Sequence, residues 1–197
     1  MEKENRPILI ETLCIDHGEI QNIDFHNDRM NRARRDLYFL YDSIDLREII
    51  VLVPKGTHRC RVIYNDHVHR IHYLPPVKKI RKSFRFVSAD IDYRYKYLDR
   101  RNIEKLLKVK GGSDDILIVR NGLLTDASSS NIAFFYNNQW ITPAAPLLEG
   151  TTRQRYLKAG KLRVADITPG KAEKCEKMAL MNAMIDFEVI ENPLFSR

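Results

Sequence analysis

Three segments decide how this chain reads: Asp92-Tyr-Arg-Tyr-Lys-Tyr-Leu-Asp-Arg100, Leu124-Thr-Asp-Ala-Ser-Ser-Ser-Asn131 and Leu147-Leu-Glu-Gly-Thr-Thr-Arg153. The first sets Lys96 among Tyr93, Tyr95 and Tyr97, just ahead of a helical pattern. The second places Asp126 after an apolar pair and Thr125, with three serines and Asn131 behind it. The third brings Gly150-Thr151-Thr152 to the start of another helical stretch.

Working outward, strand signals surround these segments. Ile116 to Val119 turns through Asn121-Gly122, and Ile132 to Tyr136 turns through Asn137-Asn138 into Trp140 and Ile141. Asn-Gly between apolar runs marks a tight hairpin, because both residues tolerate the positive φ that such turns demand. A helix is expected after Leu98, with Ile103, Leu106 and Leu107 inward and Gly111-Gly112 ending it. Another runs from Thr151 to about Leu157. Arg163 to Ile167 and Ala179 to Met181 read as strands around a short helix at Pro169.

Ahead of this half, Pro7 to Ile15 reads as a strand that turns at Asp16-His17-Gly18 into Glu19-Ile20. Asp24 reads as the N-cap of an arginine-rich helix from about His26 to Tyr41, with Met30, Ala33, Leu37 and Leu40 or Tyr41 as its apolar stripe. Ile44 to Val53 fits either a short helix ending in a strand or the reverse. Arg59 to Tyr64 and His67 to Leu74 flank an Asn65-Asp66 turn, Pro75-Pro76 opens a linker, and Ser83 to Val87 is one more strand. The expected architecture is α+β / α/β in two domains: a small α+β domain over 1–79 and a strand-rich α/β domain over 80–197.

Composition narrows the function classes. Apolar residues make up 44% of the 197 and charged residues 30%, as in ordinary globular proteins. No apolar run approaches the roughly 20 residues that cross a bilayer. The N-terminus lacks a signal-peptide core, so a cytoplasmic protein without membrane partners is expected. The three cysteines are dispersed, which argues against a disulfide framework or a zinc site. His67, His69 and His72 crowd one hairpin, but period-two geometry turns His72 away from the other two, and no metal site is expected. The net charge of +7 is spread among acidic residues and is dense only over 29–35 and 78–85, so nucleic acid is not the expected partner.

Each marked residue has a chemical reading and a plain one. A lysine that adds to an aldehyde must shed its proton, which aromatic neighbours and nearby Arg94 and Arg100 favour; most such lysines merely snorkel over rings. A buried Asp126 opposite a pyridine nitrogen would keep the ring electron-poor; in a serine-rich turn it could equally cap its own backbone. Gly150-Thr151-Thr152 offers N–H groups to a phosphate or is an ordinary threonine cap. Arg29 could give a charge-assisted fork to the same phosphate, or belong to a solvated helix face.

Taken in order, these segments resemble the class IV aminotransferase family, the fold-type-IV pyridoxal-phosphate enzymes that include branched-chain and D-amino-acid aminotransferases and 4-amino-4-deoxychorismate lyase. Glu11-Thr-Leu and His26-Asn-Asp-Arg29 look like the family's E-T-L segment and H-x-x-R-L helix start, with Met30 in place of leucine. Lys96-Tyr-Leu-Asp-Arg100 resembles K-x-x-x-R, and Thr125-Asp126 through Asn131 resembles T-E-x-x-x-x-N. Thr142-Pro143 through Gly150-Thr-Thr-Arg153 resembles the T-P…L-x-G-x-T-R phosphate segment.

The resemblance implies a two-domain D-amino-acid aminotransferase-like fold, a homodimer and a pyridoxal 5'-phosphate cofactor held between the lobes. It implies Lys96 as the residue that bonds the cofactor and moves the substrate Cα proton, and Asp126 as the partner of the ring nitrogen. Arg29, Thr151, Thr152 and the backbone of Asn182 and Ala183 would serve the phosphate, with Tyr93 as a further contact. The expected reaction is transamination between an amino acid and a keto acid. Met181-Asn-Ala-Met184 is closer to the lyase type, whose elimination gives pyruvate and an aromatic amine. Three departures are visible: Asp126 stands for the usual glutamate, the hairpin preceding E-T-L is missing, and the interval from Arg29 to Lys96 is short. They lead to the expectation of a trimmed N-terminal lobe and leave a non-catalytic member of the fold as a third reading.

Overall fold

The computed structural model describes residues 6–51 and 54–197. Contacts divide these into two compact units. One comprises the described residues up to Val77 together with Tyr95–Asp99, and the other comprises Lys78–Arg94 with Arg100–Arg197.

In the first unit, β1 (Leu9–Asp16) turns through His17 and Gly18 into β2 (Glu19–Ile20). Both turn residues have positive φ, at 49° and 84°, the geometry in which a two-residue turn follows the strand twist. Helix α1 (Ile23–Tyr38) and the short α2 (Leu46–Ile49) follow, then the hairpin of β3 (His58–Tyr64) and β4 (Val68–Leu74). The sheet order is β2-β1-β3-β4, antiparallel throughout. On β1 the alternating residues Leu9, Leu13 and Ile15 join Met30 and Ala33 of α1 and Cys60, Val62 and Tyr64 of β3 in one core. Because β2 pairs only with Ile15 and Asp16, the first half of β1 keeps an open edge. Tyr95–Asp99 fills it: Ile10 N donates to Lys96 O (2.9 Å) and Leu98 N to Ile8 O (2.8 Å).

Helix α1 corrects the expected boundaries. It starts at Ile23 behind Asn22, which adopts the left-handed conformation, so Asp24 is a first-turn residue rather than the cap. It stops at Tyr38 because Phe39 is left-handed, with its N–H on Arg35 O, so Leu40 and Tyr41 lie beyond the helix. In the ambiguous stretch only α2 is seen; the strand alternative falls partly at 52–53, outside the described residues.

The second unit holds β5 (Ser83–Ser88), α3 (Arg101–Leu107), β6 (Asp115–Arg120), β7 (Leu123–Ala127), β8 (Asn131–Tyr136), β9 (Gln139–Pro143) and α4 (Thr151–Lys158). It continues with β10 (Arg163–Ala165), α5 (Pro169–Ala172), β11 (Lys177–Asn182), β12 (Asp186–Glu191) and β13 (Leu194–Ser196). The sheet runs β10-β9-β8-β7-β6-β5-β13, and β11 pairs with β8 and β12. β8 is the central element. Ile132 and Phe134 enter the main core with Leu117, Met178 and Leu180, while Ala133 packs with Leu162, Ala179 and Met181 in a second cluster that includes Tyr156 and Leu157 of α4. A strand covered on both faces reads as a continuous apolar run rather than an alternation. Among the described residues no helix is long and apolar enough to cross a membrane.

Candidate active site

In the first unit the chemistry gathers on β1 and α1. Glu11 occupies the core face of β1 between Leu9 and Leu13 and is fully buried. Arg29 donates to it as a fork, Nε to Oε1 (2.8 Å) and Nη2 to Oε2 (2.6 Å). His26, one turn earlier on α1, places Nδ1 2.6 Å from the same Oε2. Burial alone would raise the Glu11 pKa, but the Arg29 charge and the hydrogen bonds from His26 and Arg29 overcome it and hold the acid at about 2. An ionised carboxylate only accepts, so His26 Nδ1 carries the proton. Burial keeps the imidazole below its ordinary pKa; Glu11 opposes that shift, while the charges of Arg29 and Lys96 reinforce it.

Lys96 is half-buried, its carbonyl tied to Ile10, the neighbour of Glu11 on β1. The flanking Tyr95 and Tyr97 rings meet edge to face at 6.1 Å, and Tyr95 Oη donates to Asp36 (3.1 Å). Arg29 and Lys96 are thus anchored on consecutive residues of one strand, Glu11 and Ile10.

The second unit gathers Asp126, Thr151, Thr152 and Asn182. Asp126 is buried at the end of β7, opposite Asn131 in register. Asn131 Nδ2 donates to Asp126 Oδ1 (2.7 Å) and to Leu148 O (2.8 Å), and Leu148 N donates to Asp126 Oδ2 (2.9 Å). This closed ring ties the acid to the segment that leads into α4. Burial pushes the Asp126 pKa up to about 7 against the opposing pull of Asn131, the Leu148 and Leu147 amides and the Arg153 charge. Gly150 then sits so close to Asn131 that a Cβ would overlap Oδ1, which explains a glycine there. Thr151 and Thr152 are buried in the first turn of α4. Arg153 locks that turn onto β9, donating to Thr142 Oγ1 (3.3 Å), Pro143 O (2.8 Å) and Glu149 Oε2 (3.0 Å).

Asn182 links the β11–β12 turn to the serine loop. Its Nδ2 donates to Ser130 Oγ (3.0 Å) and Ser129 O (3.3 Å), and its Oδ1 accepts from Met184 N (2.9 Å) and Ile185 N (3.2 Å). Ala183, in that turn, is half-buried, and Tyr93 is buried. Arg100 donates to Ser128 O (2.6 Å), so the same loop is held from two directions. Among the described residues no group of metal-ligating side chains forms a site.

Glu11, Asn131 and Arg153 are the residues that sequence reasoning quoted without assigning work to them. For Glu11 a signal was present: it shares the two-residue period of Leu9, Leu13 and Ile15 and was therefore due to be buried.

Residues 93–189 match the family described as amino-transferase class IV. An uncharacterised protein of Haemophilus influenzae is 35% identical over 182 residues, covering 89% of this chain and 97% of the relative. A crystal structure of a candidate 4-amino-4-deoxychorismate lyase from Haemophilus somnus 129pt is 37% identical, with a TM-score of 0.84 over 91% of this chain and 97% of that one. The fold is also that of a hypothetical aminotransferase from Mycobacterium tuberculosis in its PLP-bound form (TM-score 0.79, 15% identity, 96% of this chain and 84% of that one). Relatives this similar, matched across nearly their whole length, place the protein in the class IV aminotransferase family.

Proposed function

We propose that the protein is a pyridoxal-phosphate enzyme working at the amine-bearing carbon of its substrate, and that its reaction is an elimination of the 4-amino-4-deoxychorismate lyase type. One observation carries the cofactor reading. Asp126 is a buried acid whose two oxygens are held by uncharged donors and whose pKa is pushed to about 7. Such a group gains most from a ligand that brings it an N–H and a positive charge, as a pyridinium does. The first turn of α4, with Thr151 and Thr152, suits a phosphate as well.

When bound, the cofactor supplies an aldehyde that takes up amines and a ring that draws electrons from the adjoining carbon. Lys96 is the residue that would hold the aldehyde, and its amine, once free, would take the proton from the amine-bearing carbon of the substrate. In the elimination Lys96 returns a proton to the departing three-carbon fragment, which leaves as pyruvate beside an aromatic amine. Asp126 would hold the ring N–H. Arg29, Thr151, Thr152 and the backbone at Asn182 and Ala183 would hold the phosphate, and Tyr93 would serve the ring.

Elimination is favoured by the candidate assignment of the 37% identical relative and by Asn182-Ala183-Met184. Transamination, the first expectation from sequence, is the second reading, supported by membership in the class; there Lys96 would carry the substrate proton without expelling a fragment. Borohydride reduction of cofactor-saturated protein followed by peptide mass mapping tests the shared core, and an unmodified Lys96 overturns it. Release of 4-aminobenzoate and pyruvate from aminodeoxychorismate supports elimination. Conversion of the cofactor to its amine form by amino acids alone supports transamination, and a labelled Lys96 with neither activity identifies a non-catalytic member.

A further inference from the structure

A buried carboxylate under a helix is an expensive way to hold a fold together. Taking Glu11 and Arg29 out of water costs about as much as their attraction returns, and apolar residues of similar volume would serve stability as well or better. The pair is therefore better explained by what Arg29 must do than by what α1 needs.

We propose that Glu11 is the positioning residue of the phosphate subsite, holding the Arg29 guanidinium in one fixed orientation for the cofactor phosphate. This rests on the reading of Arg29 given above. Three donors converge on two oxygens: Arg29 Nε on Oε1, and Arg29 Nη2 and His26 Nδ1 on Oε2. A two-point fork fixes both the direction and the roll of an otherwise long, rotatable side chain. His26, fully buried beside them, pins the carboxylate in turn, so the fork cannot swing. β1 supplies the reference frame, because Glu11 sets Arg29 while the adjacent Ile10 N–H holds the carbonyl of Lys96 (2.9 Å). The residue assigned to the phosphate and the residue assigned to the aldehyde are thereby registered to one strand.

Only a carboxylate satisfies this arrangement. In Glu11→Gln one oxygen becomes an amide NH2 facing a donor, and the side chain able to move away is Arg29. Removing a negative charge favours an anion by itself, but a guanidinium displaced from the subsite cannot exploit it.

The test compares pyridoxal phosphate with pyridoxal, which carries the aldehyde without the phosphate, by absorbance titration of wild type and Glu11→Gln. The expected result is a loss of about tenfold or more in pyridoxal phosphate affinity, the scale of one lost charge-assisted hydrogen bond, with pyridoxal affinity within about twofold of wild type. Equal weakening of both ligands makes Glu11 a support of the fold only and overturns the proposal, as does no change in either. Wild-type protein that binds pyridoxal phosphate no better than pyridoxal instead defeats the phosphate reading of Arg29, and this proposal with it. Should Glu11→Gln fail to fold, Glu11→Asp keeps the charge but withdraws the fork by a methylene. The same selective loss is expected of it, and an unchanged ratio of the two affinities overturns the proposal.

Discussion

Gly150 and Asn131 approach so closely that a Cβ on residue 150 would overlap the Oδ1 of Asn131. The amide cannot retreat without cost, because its Nδ2 spends both hydrogens on Asp126 Oδ1 and Leu148 O. A backbone contact at the start of α4 is thus wired to the buried acid of β7.

Gly150→Ala should therefore act on two levels. Forcing Asn131 aside costs about 1–3 kcal/mol, the usual penalty for overpacking a filled site, and it also frees one oxygen of Asp126. Urea unfolding reads the first effect, and an unchanged midpoint would mean that the start of α4 simply yields. The φ of Gly150 is −70°, so alanine meets no backbone strain there and the loss is steric alone.

Asp126 gives the ligand-free protein an unusual pH response. Its folded pKa of about 7 lies above the ordinary 3.8, so between these values the folded state binds more protons than the unfolded one. Stability then falls as pH rises from about 4 to about 7, by roughly 4 kcal/mol if the full shift is expressed. Asp126→Asn should flatten that segment of the stability–pH curve while leaving the acid limb intact. Saturating pyridoxal phosphate should flatten it too, since a pyridinium partner favours the ionised acid. Parallel curves for wild type and variant would show that Asp126 does not titrate in this range.

Much of the fold was legible because its turns are local. Asn121-Gly122 and Asn137-Asn138 each supply two successive positive-φ residues, at 52° and 78° and at 48° and 59°, and few other pairs do so cheaply. The limits of α1 were not legible, because Asn22 and Phe39 take left-handed conformations and nothing in the sequence singles out Phe39. β13 carried no signal either. It is three residues long and pairs in parallel with β5, far away in sequence, and Phe195 stacks on Phe86 at 5.3 Å. The lysine, aspartate and threonines stood out through their neighbours in sequence. The partners of Glu11, Asn131 and Arg153 lie on other elements, Arg29 on α1, Asp126 on β7 and Thr142 on β9, and emerge only with the tertiary packing.

Breaking the Glu11–Arg29 pair should cost more than removing it. Arg29→Met leaves a buried carboxylate with His26 alone, a change on the scale of about 3–5 kcal/mol. Glu11→Gln with Arg29→Met removes both charges and should recover most of that loss. A double-mutant cycle by chemical denaturation measures the coupling, and additive single and double effects would show that the two side chains do not depend on each other. In wild type the depressed Glu11 pKa, about 2 against 4.5, contributes stability above about pH 4.5 that drains away as pH falls through 2.

Arg153 offers the sharpest contrast between charge and geometry. Its side chain is 2% exposed and bonds Thr142 Oγ1 and Pro143 O on β9 and Glu149 ahead of α4. These acceptors are spread around a planar fork, and a lysine ammonium, with its donors at one point, cannot reach them together. Arg153→Lys keeps the charge yet leaves at least one buried acceptor unpaired, costing about 1–3 kcal/mol for each such group. The loss should be concentrated where α4 meets β9, so amide hydrogen exchange should quicken over residues 151–154 before it changes in β8 and β11. Uniform acceleration across the second unit would instead make Arg153 a general prop of the core, and wild-type protection at 151–154 would show that the α4 start holds itself in place.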